Sequence, residues 1–290
     1  MESIIQYVAN GIMTGGIYAL IALGIVLIYK STSVFNFAVG QMMMFGAFFF
    51  WTFADKLALP PWAGLLLTLA GGGVLGLLAE RLVLRPLIGQ PILSSVLITL
   101  AMAYFLGGAA TAIWGVYQGR LPAFFPETPL NVGGIVLPPD LVWSFVLALA
   151  IFAVLVVFYQ RTRLGLAMRA TAESHQVAQA RGINVRNIFS VTWAIAGVVA
   201  AVGGIILGYR MGLGPFLALA GLRAFPAVLL GGLDSIPGAI VGGLTIGILE
   251  NLANGFTASW IADITPYIIL VLVLLFRPQG LFGMQRIERI

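Results

Sequence analysis

The sequence contains no cysteine and only one histidine, His175. The absence of cysteine excludes disulfides, thiol chemistry and thiolate metal sites. A single histidine also argues against zinc or haem held by imidazoles. We therefore expect neither a cofactor nor a metal on this chain.

Charged residues are scarce as well. They make up 9% of the 290 residues, whereas a soluble globular domain carries about 25%. Hydrophobic residues make up 60% of the chain, and the mean hydropathy is +1.05. Such a chain cannot cover itself with a charged surface, which excludes a soluble globular protein. We expect an all-α polytopic membrane protein whose residues 1–290 form one transmembrane domain.

The sequence also lacks an energy source of its own. The nearest approach to the P-loop motif G-x-x-x-x-G-K-[ST] is Tyr29–Ser31, which has no glycine before its lysine. The apolar runs lack the dense series of acidic residues expected of a proton-driven carrier. A membrane-embedded enzyme would need a cluster of acid/base or metal-binding residues within the apolar runs. The few carboxylates there are scattered, which disfavours such an enzyme. The net charge of +5 is modest and indicates membrane topology rather than nucleic-acid binding.

Apolar runs of about 20 residues, long enough to cross a membrane, recur along the chain. The first follows no basic segment and no cleavage site, so we expect a retained span rather than a signal peptide. Asn36 and Gln41 interrupt the second run, and Arg223 and Pro226 interrupt the seventh. Either could be a broken or re-entrant helix. The sequence predicts about nine spans, within a range of 8–10: 4–29, 33–53, 61–79, 91–114, 139–159, 189–209, 216–233, 236–256 and 262–276.

The basic residues divide unequally between the segments that connect these spans. With the 160–188 loop in the cytoplasm, 11 of the 15 Lys and Arg residues fall inside, three fall outside and Arg223 lies in a span. The inside set ends with Arg277, Arg286 and Arg289. This bias follows the positive-inside rule and predicts an external N-terminus and a cytoplasmic C-terminus if there are nine spans. The Pro- and Gly-rich loop 116–138 is then external.

The 160–188 loop has an amphipathic pattern that is too polar to span a membrane. Thr171 or Ser174 could cap one short helix, and Gly182 stands where a helix C-cap belongs. Such a helix could rest on anionic lipid or dock on a cytoplasmic partner. Lipid-binding helices carry Trp, Phe or Leu, and none of these lies between Ala167 and Gly182. We therefore favour a docking helix with an exposed face of small residues: Ala170, Ala178 and Ala180.

A few polar residues interrupt the apolar runs. Asn36 and Gln41 could form interhelical hydrogen bonds, or could present polar groups to a pathway at a helix break with Gly40. Glu250, with Asn254 one turn later, is costly in a span. It could form a structural ion pair with Arg223 or Arg210, or lie at the membrane interface. It could also contact the amine of a transported solute or a docking protein.

Pairs of glycines four residues apart are frequent, and this spacing lets two membrane helices cross closely. We interpret them as packing positions: Gly11/Gly15, Gly72/Gly76, Gly204/Gly208, Gly208/Gly212, Gly238/Gly242 and Gly243/Gly247.

Four segments resemble LivH-type permeases, the membrane subunits of ABC importers for branched-chain amino acids. The loop segment GLAMRATAESHQVAQARGINVRNI resembles their cytoplasmic coupling loop. VFNFAVGQMMMFGAF contains their N-F-A-x-G pattern, AVLLGGLDSIPGAIVGG resembles their G-G-x-x-S-x-x-G-A segment, and LLFRPQGLFG resembles their closing motif. The resemblance covers nearly the full chain, in order.

This resemblance implies a permease subunit in a bacterial inner membrane, without enzymatic activity. It would form half of the pathway for branched-chain or other neutral hydrophobic amino acids. The implied partners are a second, LivM-like permease subunit, two cytoplasmic ATPase subunits that carry ATP and Mg, and a periplasmic substrate-binding protein, besides membrane lipid. The candidate pathway residues come from the polar groups and the glycine that interrupt the apolar runs: Asn36, Gly40, Gln41, Glu250 and Asn254. The candidate residues for ATPase coupling lie in the segment that resembles the family's coupling loop: Arg169, Ala170, Glu173, Ser174, His175, Val177, Ala178, Arg181 and Gly182.

The sequence departs from the family pattern at a few positions. Val39 and Gln41 stand where family members often carry His and an acidic residue, and Asp234 stands where they often have glycine. The segment around Gln41 is therefore less polar than the family pattern. The chain could belong to the same kind of importer and carry another solute: urea, short amides or aromatic acids. A stand-alone secondary transporter or channel is a more distant alternative.

Overall fold

The computed structural model describes residues 2–283 except 88–89, 123–125, 127 and 133–134. Arg286 and Arg289, both predicted to lie inside, are outside the described residues. Apart from a hairpin of β1 (Leu130–Val132) and β2 (Ile135–Leu137), every regular element in the described ranges is helical. This confirms the all-α prediction. The helices are α1 (Glu2–Thr32), α2 (Val39–Trp51), α3 (Pro61–Leu78), α4 (Ile92–Trp114), α5 (Pro139–Arg161), α6 (Arg163–Glu173), α7 (His175–Ala180), α8 (Val185–Met211), α9 (Phe216–Leu222), α10 (Ala224–Gly231), α11 (Ile236–Phe256) and α12 (Ser259–Phe276).

Seven helices of the described chain are long and apolar enough to cross a membrane: α1, α3 with its extension to Leu87, α4, α5, α8, α11 and α12. Two predicted spans have a different form. Helix α2 has 13 residues and continues into a π-helical turn over Thr52–Lys56. The segment 216–233 forms α9 and α10, separated by a turn at Arg223. Nine complete spans and a re-entrant segment therefore remain predictions.

The chain divides into two compact units. The first consists of Met1–Val26, Phe125–Leu149 and Arg223–Ile290, and the second of Leu27–Phe124 and Ala150–Leu222.

In the first unit, glycines on α1 and α11 face one another. A Cβ added to Gly15 would lie 2.7 Å from the Cα of Leu244, and one added to Gly11 would lie 2.6 Å from the Cα of Ile248. In turn, a Cβ on Gly243 would lie 2.7 Å from the carbonyl oxygen of Gly15. Two of the predicted packing pairs therefore belong to one helix crossing, in which the backbones touch because no side chain separates them.

The end of α10 and the closing segment of the chain also meet in this unit. The backbone N–H groups of Leu281 and Phe282 donate to the carbonyls of Leu230 and Gly231, at 2.8 and 3.1 Å. Gly232 has a φ of 107°, which an L side chain rarely adopts. Ser235 then caps α11 by accepting a hydrogen bond from the N–H of Gly238 at 3.0 Å. Two segments that carried the family resemblance are thus packed together.

In the second unit, α8 is the central helix and packs on α2 and α3. A Cβ on Gly72 would lie 2.7 Å from the carbonyl oxygen of Gly197, and one on Gly204 would overlap the carbonyl oxygen of Met43. Trp193 of α8 is 1% exposed. Close backbone contact on two sides explains why α8 needs glycine at these positions.

The 160–188 loop contains two short helices, α6 and α7, so the prediction of one helix is wrong. Thr162 caps α6, and Ser174 ends α6 and caps α7 by accepting from the N–H of Val177. Gly182 follows α7 with a φ of 80°, as expected of a residue that ends a helix. Ser174 breaks the helix because its own backbone is extended.

Each unit holds one part of the loop predicted to be external. In the first unit, the Gln6 side chain donates to the carbonyl of Val136 at 2.6 Å and accepts from its N–H at 3.0 Å. In the second unit, Gly119 and Leu213 exchange two backbone hydrogen bonds, at 3.3 and 2.7 Å. Gly119 and Val136, two described positions of the loop 116–138, are therefore each hydrogen-bonded to another segment of their own unit.

Candidate functional site

A cavity of about 210 Å³ lies in the second unit, beside the first turns of α2. Its walls come from α2, from the second half of α4 with its cap Gly115, and from the first turn of α9. The lining residues are Gln41, Met44, Phe48, Gly107, Ala110, Thr111, Gly115, Pro215, Ala218 and Leu219. None of these described lining residues carries a charge.

Gln41 supplies the polar group of the α2 wall. Its carbonyl oxygen Oε1 is buried and has no hydrogen-bond partner among the residues that the structure describes. An unsatisfied buried acceptor costs about 1–3 kcal/mol, so a molecule that donates an N–H there would relieve a real penalty. Thr111 offers less, because its hydroxyl already donates to the carbonyl of Gly107 at 3.1 Å.

Gly40 allows the close approach that forms this cavity. A Cβ on Gly40 would overlap the carbonyl oxygen of Ala218, and a Cβ on Gly221 would lie 2.7 Å from the Cα of Gly40. The α2 and α9 backbones therefore touch at this point. Any larger residue would push α9 away from α2 and open the cavity wall.

Asn36 lies next to this region but does not line the cavity. It is 1% exposed, and its Oδ1 accepts from the N–H of Ala38 at 3.0 Å. Its Nδ2 donates to the sulfur of Met42 at 3.4 Å. Both hydrogen bonds join Asn36 to residues no more than six positions along the chain. The interpretation of Asn36 as a packing residue had predicted hydrogen bonds to another helix instead. The side chain orders the turn that leads into α2.

Aromatic rings join the α2 and α4 walls of the cavity. Phe48 stacks on Trp114, with ring centroids 5.1 Å apart and planes at 17°. The Trp114 indole N–H donates to the hydroxyl of Thr52 at 2.9 Å. Because α2 and α4 are joined by these contacts, the cavity has a rigid apolar side.

The arrangement suits a small neutral or zwitterionic solute with an aliphatic part. The volume is below the roughly 300–1,000 Å³ of pockets for drug-sized ligands. The apolar walls would take a hydrocarbon side chain, and Gln41 would accept from an amide or ammonium group. The described residues contain no group of three or more His, Asp or Glu that could hold a metal ion.

The other two predicted pathway residues lie in the first unit, where Glu250 takes part in an ion-pair cluster. Arg223 contacts Glu250 at 3.6 Å through Nη1 and Asp263 at 3.1 Å through Nη2. Of the two candidate arginines, Arg223 is therefore a partner of Glu250. Asn254 is exposed one turn further along α11. A pathway role for Glu250 and Asn254 remains a prediction.

The sequence interpretation did not include a buried polar cluster in the second unit. Arg85 donates to both carboxylate oxygens of Glu80, each at 3.1 Å, and to the hydroxyl of Ser190 at 2.7 Å. Ser190 donates to Glu80 at 2.7 Å, and Glu80 is 1% exposed. Glu80 and Arg85 are five positions apart, a spacing that does not pair two side chains in an α-helix. The π-helical turn over Ala79–Leu84 brings them together, and nothing in the sequence indicated that turn.

The residues predicted to couple to an ATPase separate into an exposed and an inward-facing group. Glu173, Val177, Arg181 and Gly182 are exposed, and Val177 shows 60% of its surface. Ala178, in contrast, is 2% exposed and packs against Val185 and Phe189. The expectation that Ala178 belongs to an exposed face is therefore wrong, because the side of α7 that carries it rests on α8.

Four other members of the predicted set are partly buried: Arg169, Ala170, Ser174 and His175. Arg169 donates to the backbone carbonyl of Tyr159 and lies 5.6 Å from the centre of its ring. Arg169 thereby ties α6 back to the end of α5. His175 lies 3.0 Å, through Nε2, from the carbonyl oxygen of Ser31.

Comparisons with known proteins bear on the role of these features. Residues 7–274 match the family model described as "Branched-chain amino acid transport system / permease component". The permease protein BraD of a high-affinity branched-chain amino acid transport system in Pseudomonas aeruginosa is 32% identical over 302 residues, covering 99% of this chain and 98% of that protein. The corresponding LivH of Escherichia coli strain K12 is 32% identical, covering 99% and 97%.

A more distant relative has a similar description. A probable branched-chain amino acid transport permease protein LivH of Methanocaldococcus jannaschii is 30% identical, over 94% of this chain and 91% of that protein. Among solved structures, PsaBC from Streptococcus pneumoniae in complex with Fab aligns with a TM-score of 0.48 and 15% identity, over 93% and 92% of the two chains. That structural likeness is too weak to bear on fold or function. The family model and the near full-length relatives are sufficient: the chain belongs to the family of permease components of branched-chain amino acid transport systems.

Proposed function

We propose that this chain is the permease subunit of an ATP-driven importer and forms half of a pathway for branched-chain or other neutral hydrophobic amino acids. The observation that carries the proposal is the apolar cavity beside α2, with the unpartnered Gln41 oxygen in its wall. The cavity lies at the N-F-A-x-G segment, within the part of the chain that matches the family model. Its walls favour aliphatic side chains over charged ones.

The proposed partners follow from family membership and from what the chain lacks. Two ATPase subunits would bind and hydrolyse ATP with Mg, since the sequence has no P-loop. A second permease subunit would complete the pathway, and a periplasmic binding protein would deliver the solute. Large exposed apolar side chains on α12 support burial in lipid or against a partner, among them Trp260, Leu275 and Phe276.

The proposed site of ATPase docking is the outer face of α7 and the residues around it. Val177 is a large exposed hydrophobic residue on this short helix, next to exposed Arg181 and Glu173. A protein cleft would bury Val177 and leave the charges at its rim. Ala178 supports this face from behind rather than forming part of it.

The proposed topology is a multi-pass protein of the bacterial inner membrane with the 160–188 loop in the cytoplasm. The bias of 11 basic residues inside against three outside supports this orientation. Nine crossings require α2, extended by its π-helical turn to Lys56, and the broken segment 216–233 each to cross. The N-terminus is then periplasmic and the C-terminus cytoplasmic.

Reconstitution tests the function directly. The chain is co-expressed with the second permease subunit and the ATPases, and proteoliposomes receive the binding protein and labelled leucine. We expect accumulation that requires both ATP and the binding protein. Uptake by this chain alone, without ATP, would instead establish a stand-alone carrier or channel.

The cargo is tested in the same vesicles. Valine, isoleucine and leucine are compared with urea, butyramide and phenylacetate at equal concentration. We expect the three amino acids to be transported fastest. Faster transport of butyramide or urea would favour the amide-importing alternative, for which the uncharged cavity wall at Gln41 is a specific argument.

A further inference from the structure

His175 begins the helix proposed to dock an ATPase, yet its side chain points away from the docking face. Its Nε2 lies 3.0 Å from the carbonyl oxygen of Ser31, and its ring meets the Phe189 ring edge-on at 5.3 Å. A carbonyl oxygen can only accept, so Nε2 carries the proton and donates. This bond joins α7 to the end of α1, residues 144 positions apart.

The carbonyl of Ser31 is one that α1 cannot satisfy by itself. Helix α1 ends at Thr32, and the last four carbonyls of an α-helix have no partner within the helix. The imidazole therefore completes the C-terminus of α1 from outside. No other side chain of α7 has a described hydrogen bond to α1.

The segment that follows Ser31 leads directly to the candidate pathway. Ser33 has a φ of 56°, an uncommon conformation for a non-glycine residue, which local bonds maintain. The N–H of Val34 donates to the hydroxyl of Thr32 at 3.3 Å, and the Asn36 side chain holds the N–H of Ala38. The backbone then enters the first turn of α2, which carries Gln41. Residues 33–38 thus form a short, bonded connection between the His175 contact and the cavity wall.

Two features let a displacement of α7 reach this connection. Helix α7 is held on α8 by one small apolar cluster of Ala178, Val185 and Phe189. A second cavity, of about 190 Å³, borders His175, Thr32 and Ser33 and reaches Trp193. These groups can therefore move without compressing the packed core of α8.

We infer that His175 is a positioning residue that transmits movement of α7 to residues 33–38 and so to Gln41. The inference rests on the proposed docking of an ATPase at α7. It assigns His175 to the transmission of the signal and excludes it from contact with the ATPase. If the hydrogen bond of His175 is lost, we expect ATP hydrolysis to continue. The amount of solute transported per ATP hydrolysed should fall.

Two substitutions separate the hydrogen bond from the packing of the ring. His175→Phe keeps an aromatic ring against Phe189 and removes the donor, whereas His175→Gln keeps an N–H donor in place of the ring. Ser95→Ala, which lines the same second cavity from α4, is the control. The measurement is the ratio of leucine transported to ATP hydrolysed, in proteoliposomes that contain the complete importer.

We expect His175→Phe to lower this ratio at least fivefold with a near-normal rate of ATP hydrolysis and normal recovery of the ATPases. His175→Gln should stay within about twofold of wild type, and Ser95→Ala should be unchanged. A normal ratio in His175→Phe would overturn the inference, as would equal loss in both His175 variants. Failure of the proposed function is distinguishable, since the wild-type chain would then show no ATP-dependent uptake and recover no ATPase.

Discussion

The carboxylate of Glu80 and the guanidinium of Arg85 meet through two contacts of 3.1 Å although the residues are five positions apart. In an α-helix, neighbours on one face are three or four positions apart. The π-helical turn over Ala79–Leu84 changes this spacing, because its hydrogen bonds join residue i to residue i+5. The ion pair and the π-helical turn are therefore one feature, which Ser190 fastens to α8.

Loss of the Arg85 side chain should destabilise the protein more than loss of the charge on Glu80. Arg85→Ala leaves the carboxylate of Glu80 buried without its cation, a loss that costs roughly 3–5 kcal/mol. Glu80→Gln leaves a guanidinium whose side chain is 34% exposed and can be solvated, so it should cost less. Thermal unfolding of the purified chain in detergent should give a lower Tm for Arg85→Ala than for Glu80→Gln. The double variant should recover part of the loss, and equal shifts in the single variants would contradict this ordering.

The crossing of α1 and α11 should tolerate no side chain larger than glycine. Gly15→Ala places a Cβ 2.7 Å from the Cα of Leu244, and overpacking of this kind costs about 1–3 kcal/mol. We expect a lower Tm and a lower yield of folded protein. Gly108→Ala is the matched control, since nothing lies within 4 Å of its added Cβ. In an open helical position, alanine is favoured over glycine by about 0.5–1 kcal/mol, so a destabilised control would show that the contact is not the cause.

Substitutions at two neighbouring residues of α7 should impair different properties of the protein, namely ATPase binding at Val177 and stability at Ala178. Val177→Asp changes a side chain that is 60% exposed, so the fold should persist while co-purification with the ATPases falls. Ala178→Asp places a carboxylate in the cluster with Val185 and Phe189, so it should lower the Tm of the isolated chain. Unfolding measurements and pull-down distinguish the two effects. Unimpaired pull-down with Val177→Asp would remove this face from the docking site.

Features that depend on a few neighbouring residues could be predicted from the sequence. Ser174 caps a helix and Gly182 follows one, as expected, because capping needs only the local backbone. The break at Ser174 was missed because the amphipathic pattern continues across it. Ala178 was assigned to the wrong side of α7 because an alanine suits either side, and only the position of α8 decides between them.

Features that join distant segments could be predicted only in part. The spacing of Gly11 and Gly15 indicated a packing position, but no local pattern shows that Gly243 and Gly247 form its opposite face. Gln41 was identified from its polarity in an apolar run. The cavity walls on α4 and α9 consist of Ala, Gly, Pro and Leu with one Thr, and nothing in such residues distinguishes a wall from ordinary core. The polar group of Gln41 could therefore be predicted from the sequence, whereas the cavity beside it could not.

Cysteine labelling should decide whether α2 crosses the membrane. Because the chain has no cysteine, single substitutions at exposed Ser33, Lys56 and Glu173 can be labelled without background. In the nine-span topology, a membrane-impermeant maleimide added to spheroplasts should label Lys56→Cys, and should label Ser33→Cys and Glu173→Cys only after permeabilisation. Labelling of Ser33→Cys and Lys56→Cys from the same side would mean that α2 does not cross.

Gln41→Leu should slow transport while leaving the fold and ATPase assembly intact. The substitution removes the buried acceptor Oε1 and keeps a side chain of similar size. One hydrogen bond contributes about 0.5–1.5 kcal/mol, so the maximal rate of leucine uptake at saturating binding protein should fall roughly two- to twelvefold. Met44→Leu is the matched control, because it changes the same wall of the same cavity without altering its polarity. If both variants transport leucine equally well, Gln41 is a packing residue; if only Gln41→Leu is slow, its carbonyl oxygen contacts the solute during transport.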